Sequence, residues 1–177
     1  MTASAFSSES DELTDLVIAA QKGDRPAFDQ LYRSHSRMVH GVLMSRVPRS
    51  DVDDLVQDVF MLAMQRLASL RTPAAFGGWL AAIARTRAID HLRRQPRTTE
   101  LVDDVAVSDP DRSEVMAVLA AVERLPLAYR ETLTLRFVEG MTGQEIAAKT
   151  GLTEGSVRVN LHRGMKQLKE ELERGPK

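Results

Sequence analysis

Six polar side chains near the carboxyl end of the chain have the types and spacing needed to hydrogen-bond to nucleic-acid bases. They fall at the start and along one side of a predicted helix: Ser156, Arg158, Asn160, His162, Arg163 and Lys166. Arginine pairs with guanine, asparagine with adenine and serine with several bases in the major groove. A solvated face of an ordinary helical bundle carries similar charges. The elements around this helix therefore decide whether these side chains bind nucleic acid or only face solvent.

The helix that carries these side chains has a buried stripe and follows a short helix and a tight turn. Its inward positions recur at intervals of four, three and four residues: Val157, Leu161, Gly164 and Leu168. Thr142 and Glu145 have the spacing of a capping box at the start of the short helix. Gly151 falls where that helix needs a left-handed residue to end, and Thr153 can cap the longer helix. This order predicts a helix-turn-helix, whose second helix enters the major groove of DNA.

The composition indicates a globular helical protein. The 177 residues are 43% hydrophobic and include no cysteine, which excludes disulfides and thiolate metal sites. The formal net charge is −1, so charge that binds nucleic acid must be local. Valine and isoleucine recur at helical spacing, which predicts an all-α fold. The sequence shows no membrane-spanning apolar run and no secretory signal, so we expect a cytoplasmic protein without membrane insertion.

An acidic helix is predicted from a capping box at Ser50 and Asp53 to about Leu70. Its outward side chains are mostly carboxylates: Asp51, Asp53, Asp54, Gln57 and Asp58. Acidic side chains in the first turn of a helix interact favourably with the helix dipole, but Asp58 lies too far from the start of the helix for that explanation. An acidic ridge also suits a basic partner helix. A carboxylate metal site is a third interpretation, although the acids lack the loop spacing of an EF-hand.

A basic helix is predicted after Thr72 and Pro73. Gly77 and Gly78 weaken its first turn, so we expect the helix proper to begin nearer Trp79. We assign the aromatic side chains Phe76 and Trp79 to the core. The other side of this helix carries five arginines: Arg85, Arg87, Arg93, Arg94 and Arg97. They are suited to bind a phosphate backbone, although basic side chains at the carboxyl end of a helix also interact favourably with the helix dipole.

Changes in periodicity divide the chain into predicted segments. Residues 1–10 are a disordered tail, and residues 11–95 form an N-terminal domain whose first helix begins near Asp11. Residues 96–112 lose helical periodicity and are rich in acids, which predicts a flexible linker. Residues 113–177 form a second helical domain, with one helix from Leu127 to Glu139 ahead of the helix-turn-helix.

This order of elements closely resembles bacterial RNA polymerase sigma factors of the extracytoplasmic-function (ECF) subfamily. In the first domain the resemblance is carried by AFDQLYRSH from Ala27, DVDDLVQDVF from Asp51 and GWLAAIARTRAIDHLRR from Gly78. In the second it is carried by the stretch from Leu125 to Leu168. The helix-turn-helix alone is less specific, because other regulators contain similar domains.

The resemblance implies roles for individual residues. The surface that docks on core RNA polymerase would comprise Asp51, Asp54, Gln57, Asp58 and Met61. Contacts with the promoter −10 element would come from Arg71, Thr72, Phe76, Arg85, Thr86, Arg87, Arg93 and Arg94. Contacts with the −35 element would come from Thr142, Thr153, Glu154, Ser156, Arg158, Val159, His162 and Arg163. The family often has asparagine where this chain has Thr86, so the polar contact there is open.

The resemblance also implies partners: core polymerase, promoter DNA and an anti-sigma factor, with the free chain a monomer. It implies no cofactor, no metal and no catalytic site. One alternative is a stand-alone helix-turn-helix regulator that does not bind polymerase, and another is a purely helical adaptor. An enzyme with a metal centre is the third, but its candidate histidines are scattered: His35, His40, His91 and His162.

Overall fold

The computed structural model describes residues 3–94 and 118–174, with side chains from residue 11 onward. These two ranges are called the N-terminal and C-terminal domains below. Both are built from helices and contain no strand within the described ranges, which confirms the predicted all-α fold. The predicted linker, residues 96–112, lies outside the described residues.

Four long helices form the N-terminal domain: α1 (Ala3–Gln21), α2 (Arg25–Met44), α3 (Val52–Arg66) and α4 (Phe76–Arg94). The α1 helix begins at Ala3 rather than near Asp11, so it starts earlier than the sequence pattern predicted. At the start of α2, the Asp24 carboxylate accepts a hydrogen bond from the Ala27 amide at 3.1 Å. This contact satisfies an amide that the helix itself leaves unpaired.

The C-terminal domain contains helical residues 118–123 (α5), α6 (Leu127–Leu133), α7 (Gly143–Thr150) and α8 (Glu154–Arg174). The predicted helix from Leu127 to Glu139 is not regular, because it widens into a π-helical turn over Thr134–Val138. The amide of Glu139 closes this turn with a 3.1 Å hydrogen bond to the Thr134 carbonyl.

Two predicted helix starts differ from the structure. Ser50 lies in a short 3-10 turn, where its hydroxyl donates to the Asp51 carboxylate at 2.9 Å instead of capping α3. The predicted capping box at Ser50 and Asp53 is therefore absent. The α4 helix begins at Phe76 rather than near Trp79. The burial of Phe76 and the close packing of Gly77 and Gly78 against the C-terminal domain hold this first turn.

One apolar core runs through both domains. It joins side chains of the N-terminal domain such as Leu31, Leu43 and Leu80 to Leu135 and Ile146 of the C-terminal domain. Each of these five side chains is fully buried. Burying a leucine or isoleucine side chain stabilises a fold by about 1.5–3 kcal/mol. The shared core therefore holds the two domains together in this structure.

Candidate nucleic-acid and polymerase interfaces

The helix-turn-helix has the local geometry that its sequence predicts. The Glu145 amide donates to the Thr142 hydroxyl at 3.2 Å, and the Thr142 amide donates to the Glu145 carboxylate at 2.7 Å. Hydrogen bonds from the Thr142 amide and hydroxyl to the Glu145 carboxylate hold the pKa of Glu145 below its ordinary value. Gly151 ends α7 with a φ of 76°. The Ser156 amide donates to the Thr153 hydroxyl at 3.1 Å, which caps α8. The predicted capping box and turn are confirmed.

The side chains assigned to the −35 element are exposed in the structure. The exposed set is Thr142, Thr153, Glu154, Ser156, Arg158, Val159, His162 and Arg163. Val157 faces the opposite way and is only 1% exposed, so it anchors α8 in the core. An inward apolar side and an outward polar side are what a helix needs to enter a groove while staying attached to its domain.

Asn160 does not belong to this exposed surface. Its side-chain amide donates to the Thr132 hydroxyl at 3.3 Å, and Thr132 in turn donates to the Ala128 carbonyl at 2.7 Å. Asn160 therefore ties α8 to α6, and in this conformation its amide nitrogen is engaged within the protein. No sequence pattern indicates this role, because Asn160 and Thr132 lie on different helices.

The predicted polymerase-docking side chains on α3 divide into two groups. Asp54, Gln57 and Met61 are exposed, with Met61 61% exposed. Asp51 and Asp58 have partners on α4, although Asp58 is itself exposed. The Asp51 carboxylate lies 2.8 Å from His91 Nε2, and Asp58 pairs with Arg87. The exposed face of α3 also includes Met64, which sequence reasoning missed although it lies one helical turn beyond Met61.

The side chains assigned to the −10 element differ in exposure. Arg71, Thr72, Thr86, Arg93 and Arg94 are exposed. The Thr86 hydroxyl donates to the Ala82 carbonyl at 2.9 Å, within its own helix.

Phe76 is fully buried, with its ring centroid 5.0 Å from that of His35 and 5.9 Å from that of Trp79. Its predicted core position is confirmed. In this conformation Phe76 is not accessible to a DNA base.

Arg85 has a partner that the sequence analysis did not identify. It is Glu131 of α6, whose carboxylate binds Arg85 Nη2 and Arg46 Nη2 at 2.6 Å each, and Arg85 Nε at 3.1 Å. The Glu131 side chain is only 6% exposed. Burial alone would raise the pKa of Glu131, but the hydrogen bonds and charges of Arg85 and Arg46 outweigh it and lower the pKa. Glu131 is therefore a buried anion between the two domains.

His35 is a buried base in the core, where its ring and that of Phe76 meet edge to face. Burial, reinforced by the positive charge of Lys149, lowers the pKa of His35 from 6.5 to about 4. The ring is therefore neutral at pH 7. Among residues 3–94 and 118–174, no cluster of histidine, aspartate and glutamate side chains is arranged to hold a metal ion. None of the helices in these ranges has the length and apolar character needed to cross a membrane.

Two packed helical domains, one with an exposed helix-turn-helix and the other with acidic and basic helices, define a DNA-binding protein with a second interaction surface. Matches to family models identify this class of protein more closely. Residues 31–98 match Sigma-70 region 2, and residues 115–168 match Sigma-70 region 4. The chain is 33% identical to the ECF RNA polymerase sigma-E factor of Escherichia coli over 175 residues, covering 87% of this chain and 92% of that protein. The chain belongs to the ECF RNA polymerase sigma factors.

Solved structures agree with this fold. The structure of CnrH in complex with the cytosolic domain of CnrY is 26% identical, with a TM-score of 0.63, covering 92% of this chain and 97% of CnrH. RpoE of Bartonella quintana, solved with the anti-sigma factor NepR, shares the fold at 20% identity and a TM-score of 0.53, covering 82% of this chain and 96% of RpoE. The relatives are initiation factors for transcription rather than enzymes.

Proposed function

We propose that this sigma factor uses three separate surfaces to bring core RNA polymerase to a promoter. The exposed face of α3, with Asp54, Gln57 and Met61, docks on the polymerase. The basic side of α4 and the segment before it contact the −10 element, and the outer face of α8 reads the −35 element. The protein acts in the cytoplasm and has no catalytic site of its own.

The exposed polar face of α8 is the observation that carries the DNA-binding part of this proposal. Arg158 and Arg163 extend from a helix whose start is capped and whose opposite side is anchored in the core by Val157. A helix held in this way presents its side chains to the major groove without having to fold on binding. Arginine hydrogen-bonds to guanine through two acceptors, which gives base selectivity.

We propose further that a protein of the anti-sigma kind binds this chain. Support comes from CnrH, which was solved with the cytosolic domain of another protein, and from RpoE of Bartonella quintana, which was solved with an anti-sigma factor. Both structures share the fold described above. Exposed apolar side chains on the α3 face, Met61 and Met64, are suited to such a protein contact.

Co-elution with purified core RNA polymerase on gel filtration tests the docking surface. The Asp54→Lys variant reverses an exposed charge on the proposed face and is expected to lose stoichiometric binding. Asp29→Lys reverses an exposed charge on a different helix, α2, and serves as the matched control. Retention of binding by Asp54→Lys would contradict the docking assignment. A wild-type chain that binds DNA but not core polymerase would point instead to a stand-alone helix-turn-helix regulator.

A further inference from the structure

Two methionines lie next to each other on the outer face of α3. Met61 and Met64 are each 61% exposed, and their three-residue spacing makes them neighbours on one side of the helix. They continue the exposed row that begins with Asp54 and Gln57. A pair of thioether sulfurs is therefore accessible from water at the apolar end of the proposed docking face.

The other methionines that the structure describes have different surroundings. Met38 and Met141 are buried, at 0% and 3% exposure, and Met44 is half-buried. Met165 of α8 is 45% exposed. Since the sequence has eight methionines and no cysteine, thioethers hold all of its sulfur. Oxidation follows access to the sulfur atom, so exposed thioethers react first and buried ones react only when the fold opens locally.

We propose that Met61 and Met64 form a paired oxidation site, at which hydrogen peroxide produces methionine sulfoxides that weaken docking on core RNA polymerase. Each sulfur lone pair attacks one peroxide oxygen, so that an S–O bond forms as the O–O bond breaks. The sulfur is oxidised, and the peroxide is reduced to one water molecule that keeps both of its hydrogens. The oxidation itself rests on the exposure of the two side chains, whereas its effect on docking rests on the proposed function.

A sulfoxide changes what this face of α3 can bind. Oxidation turns a flexible apolar side chain into a polar one that carries a hydrogen-bond acceptor. Burial of this acceptor against a partner that supplies no donor costs free energy, whereas the reduced thioether offers apolar surface that adapts to its partner. We therefore expect the affinity for core polymerase to fall at least about tenfold when Met61 and Met64 are both oxidised.

The site can be oxidised and restored while the chain stays folded. Both side chains extend into solvent rather than into the buried stripe of α3, which includes Val52, Val59 and Ala63. An oxygen added at either sulfur therefore leaves the core unaltered. Methionine sulfoxide reductases reverse the change. In that reaction two thiols become a disulfide, and the sulfoxide oxygen leaves as water.

Peptide mass spectrometry of the full chain after timed exposure to hydrogen peroxide tests the oxidation site. We expect Met61 and Met64 each to gain one oxygen atom well before Met38 and Met141 do. Circular dichroism of the same samples is expected to keep its helical signal. Oxidation rates at Met61 and Met64 no higher than those at Met38 and Met141 would overturn the assignment of the site.

Titration of purified core RNA polymerase with the full chain, before oxidation and after oxidation and removal of the peroxide, tests the effect on docking. The measured quantity is the ratio of the two Kd values for each protein, so differences in starting affinity cancel. We expect a ratio of at least about ten for the wild type. The Met61→Leu, Met64→Leu variant has no sulfur on this face and is expected to show a ratio near one. Met165→Leu removes an exposed methionine of α8 and, as the matched control, is expected to keep the wild-type ratio.

Reductases for both sulfoxide epimers, supplied with dithiothreitol, are expected to restore the initial Kd of the oxidised wild type. Equal ratios in the wild type and in the Met61→Leu, Met64→Leu variant would overturn the effect on docking, as would a wild-type ratio of one with both sulfoxides present. A reduced wild-type chain that does not bind polymerase would contradict the proposed function and the docking effect with it. The oxidation rates would still decide whether the oxidation site exists, so the two failures are distinguishable.

Discussion

At the scale of single residues, His35 makes the stability of the fold depend on pH. Its pKa falls from 6.5 to about 4 on folding, so between these values the unfolded chain binds a proton that the folded chain does not. The stabilising effect of the neutral ring is complete above pH 6.5 and is lost as the pH falls toward 4. A shift of this size corresponds to roughly 3 kcal/mol in the free energy of unfolding.

Urea denaturation between pH 7 and pH 4 measures this dependence. We expect His35→Leu to flatten the loss of stability between these pH values, because the substituted chain has no proton to gain at this position. His162 is exposed, so His162→Leu is expected to keep the wild-type slope. Equal slopes in His35→Leu and wild type would mean that other groups cause the pH dependence.

Gly151 is a second residue whose role is set by local geometry. Its φ of 76° lies in the left-handed region, and a methyl group there would come within 3.1 Å of the Gly78 Cα. We expect Gly151→Ala to lower the free energy of unfolding by at least about 1 kcal/mol. Gly155→Ala, in the first turn of α8, adds a methyl group that would meet only the Thr153 hydroxyl at an ordinary 3.9 Å, and is expected to be neutral or stabilising. Chemical denaturation of both variants provides the comparison.

At the scale of elements, one threonine and one serine have the same capping-box spacing in the sequence but different roles at the start of a helix. Thr142 caps α7, whereas the Ser50 hydroxyl donates only to the neighbouring Asp51 carboxylate. We expect Thr142→Ala to cost about 1 kcal/mol of stability and Ser50→Ala to cost much less. Thermal denaturation can rank the two variants, and equal costs would show that the Thr142 cap adds nothing to the stability of α7.

Features that depend on neighbours in sequence could be predicted from it, and contacts between distant elements could not. The capping box at Thr142 and the turn at Gly151 follow from spacings within one stretch of chain. The glycines Gly77 and Gly78 were interpreted as a weak first turn, but they are required by the approach of another domain. Nothing in the periodicity of α6 marks Glu131, because its partners Arg46 and Arg85 are brought to it only by tertiary packing.

At the scale of the whole molecule, the shared core couples the stability of the two domains. Leu135 belongs to the C-terminal domain but packs against Gly41 of α2, whereas Leu133 packs against Gly164 of α8 within its own domain. We expect Leu135→Ala to destabilise the fold by roughly 2–5 kcal/mol and to weaken protection in both domains. Leu133→Ala is expected to act mainly on the C-terminal domain.

Native-state hydrogen exchange distinguishes these two effects, because it reports local opening amide by amide. Faster exchange of α2 amides in Leu135→Ala, but not in Leu133→Ala, is the expected pattern. If neither substitution alters exchange in α2, the domains are energetically independent in solution.

The ion pairs between α3 and α4 have a consequence for the genetics of this sigma factor. Asp58 is paired with Arg87 and Asp51 with His91, so a change at either aspartate also alters a side chain on α4, the helix proposed to contact DNA. On the proposed assignment, alleles at Asp51 and Asp58 are pleiotropic, whereas alleles at Asp54 and Met61 affect docking alone. Suppressors of the first pair should arise in α4 of the same gene, and suppressors of the second pair in the genes for polymerase subunits.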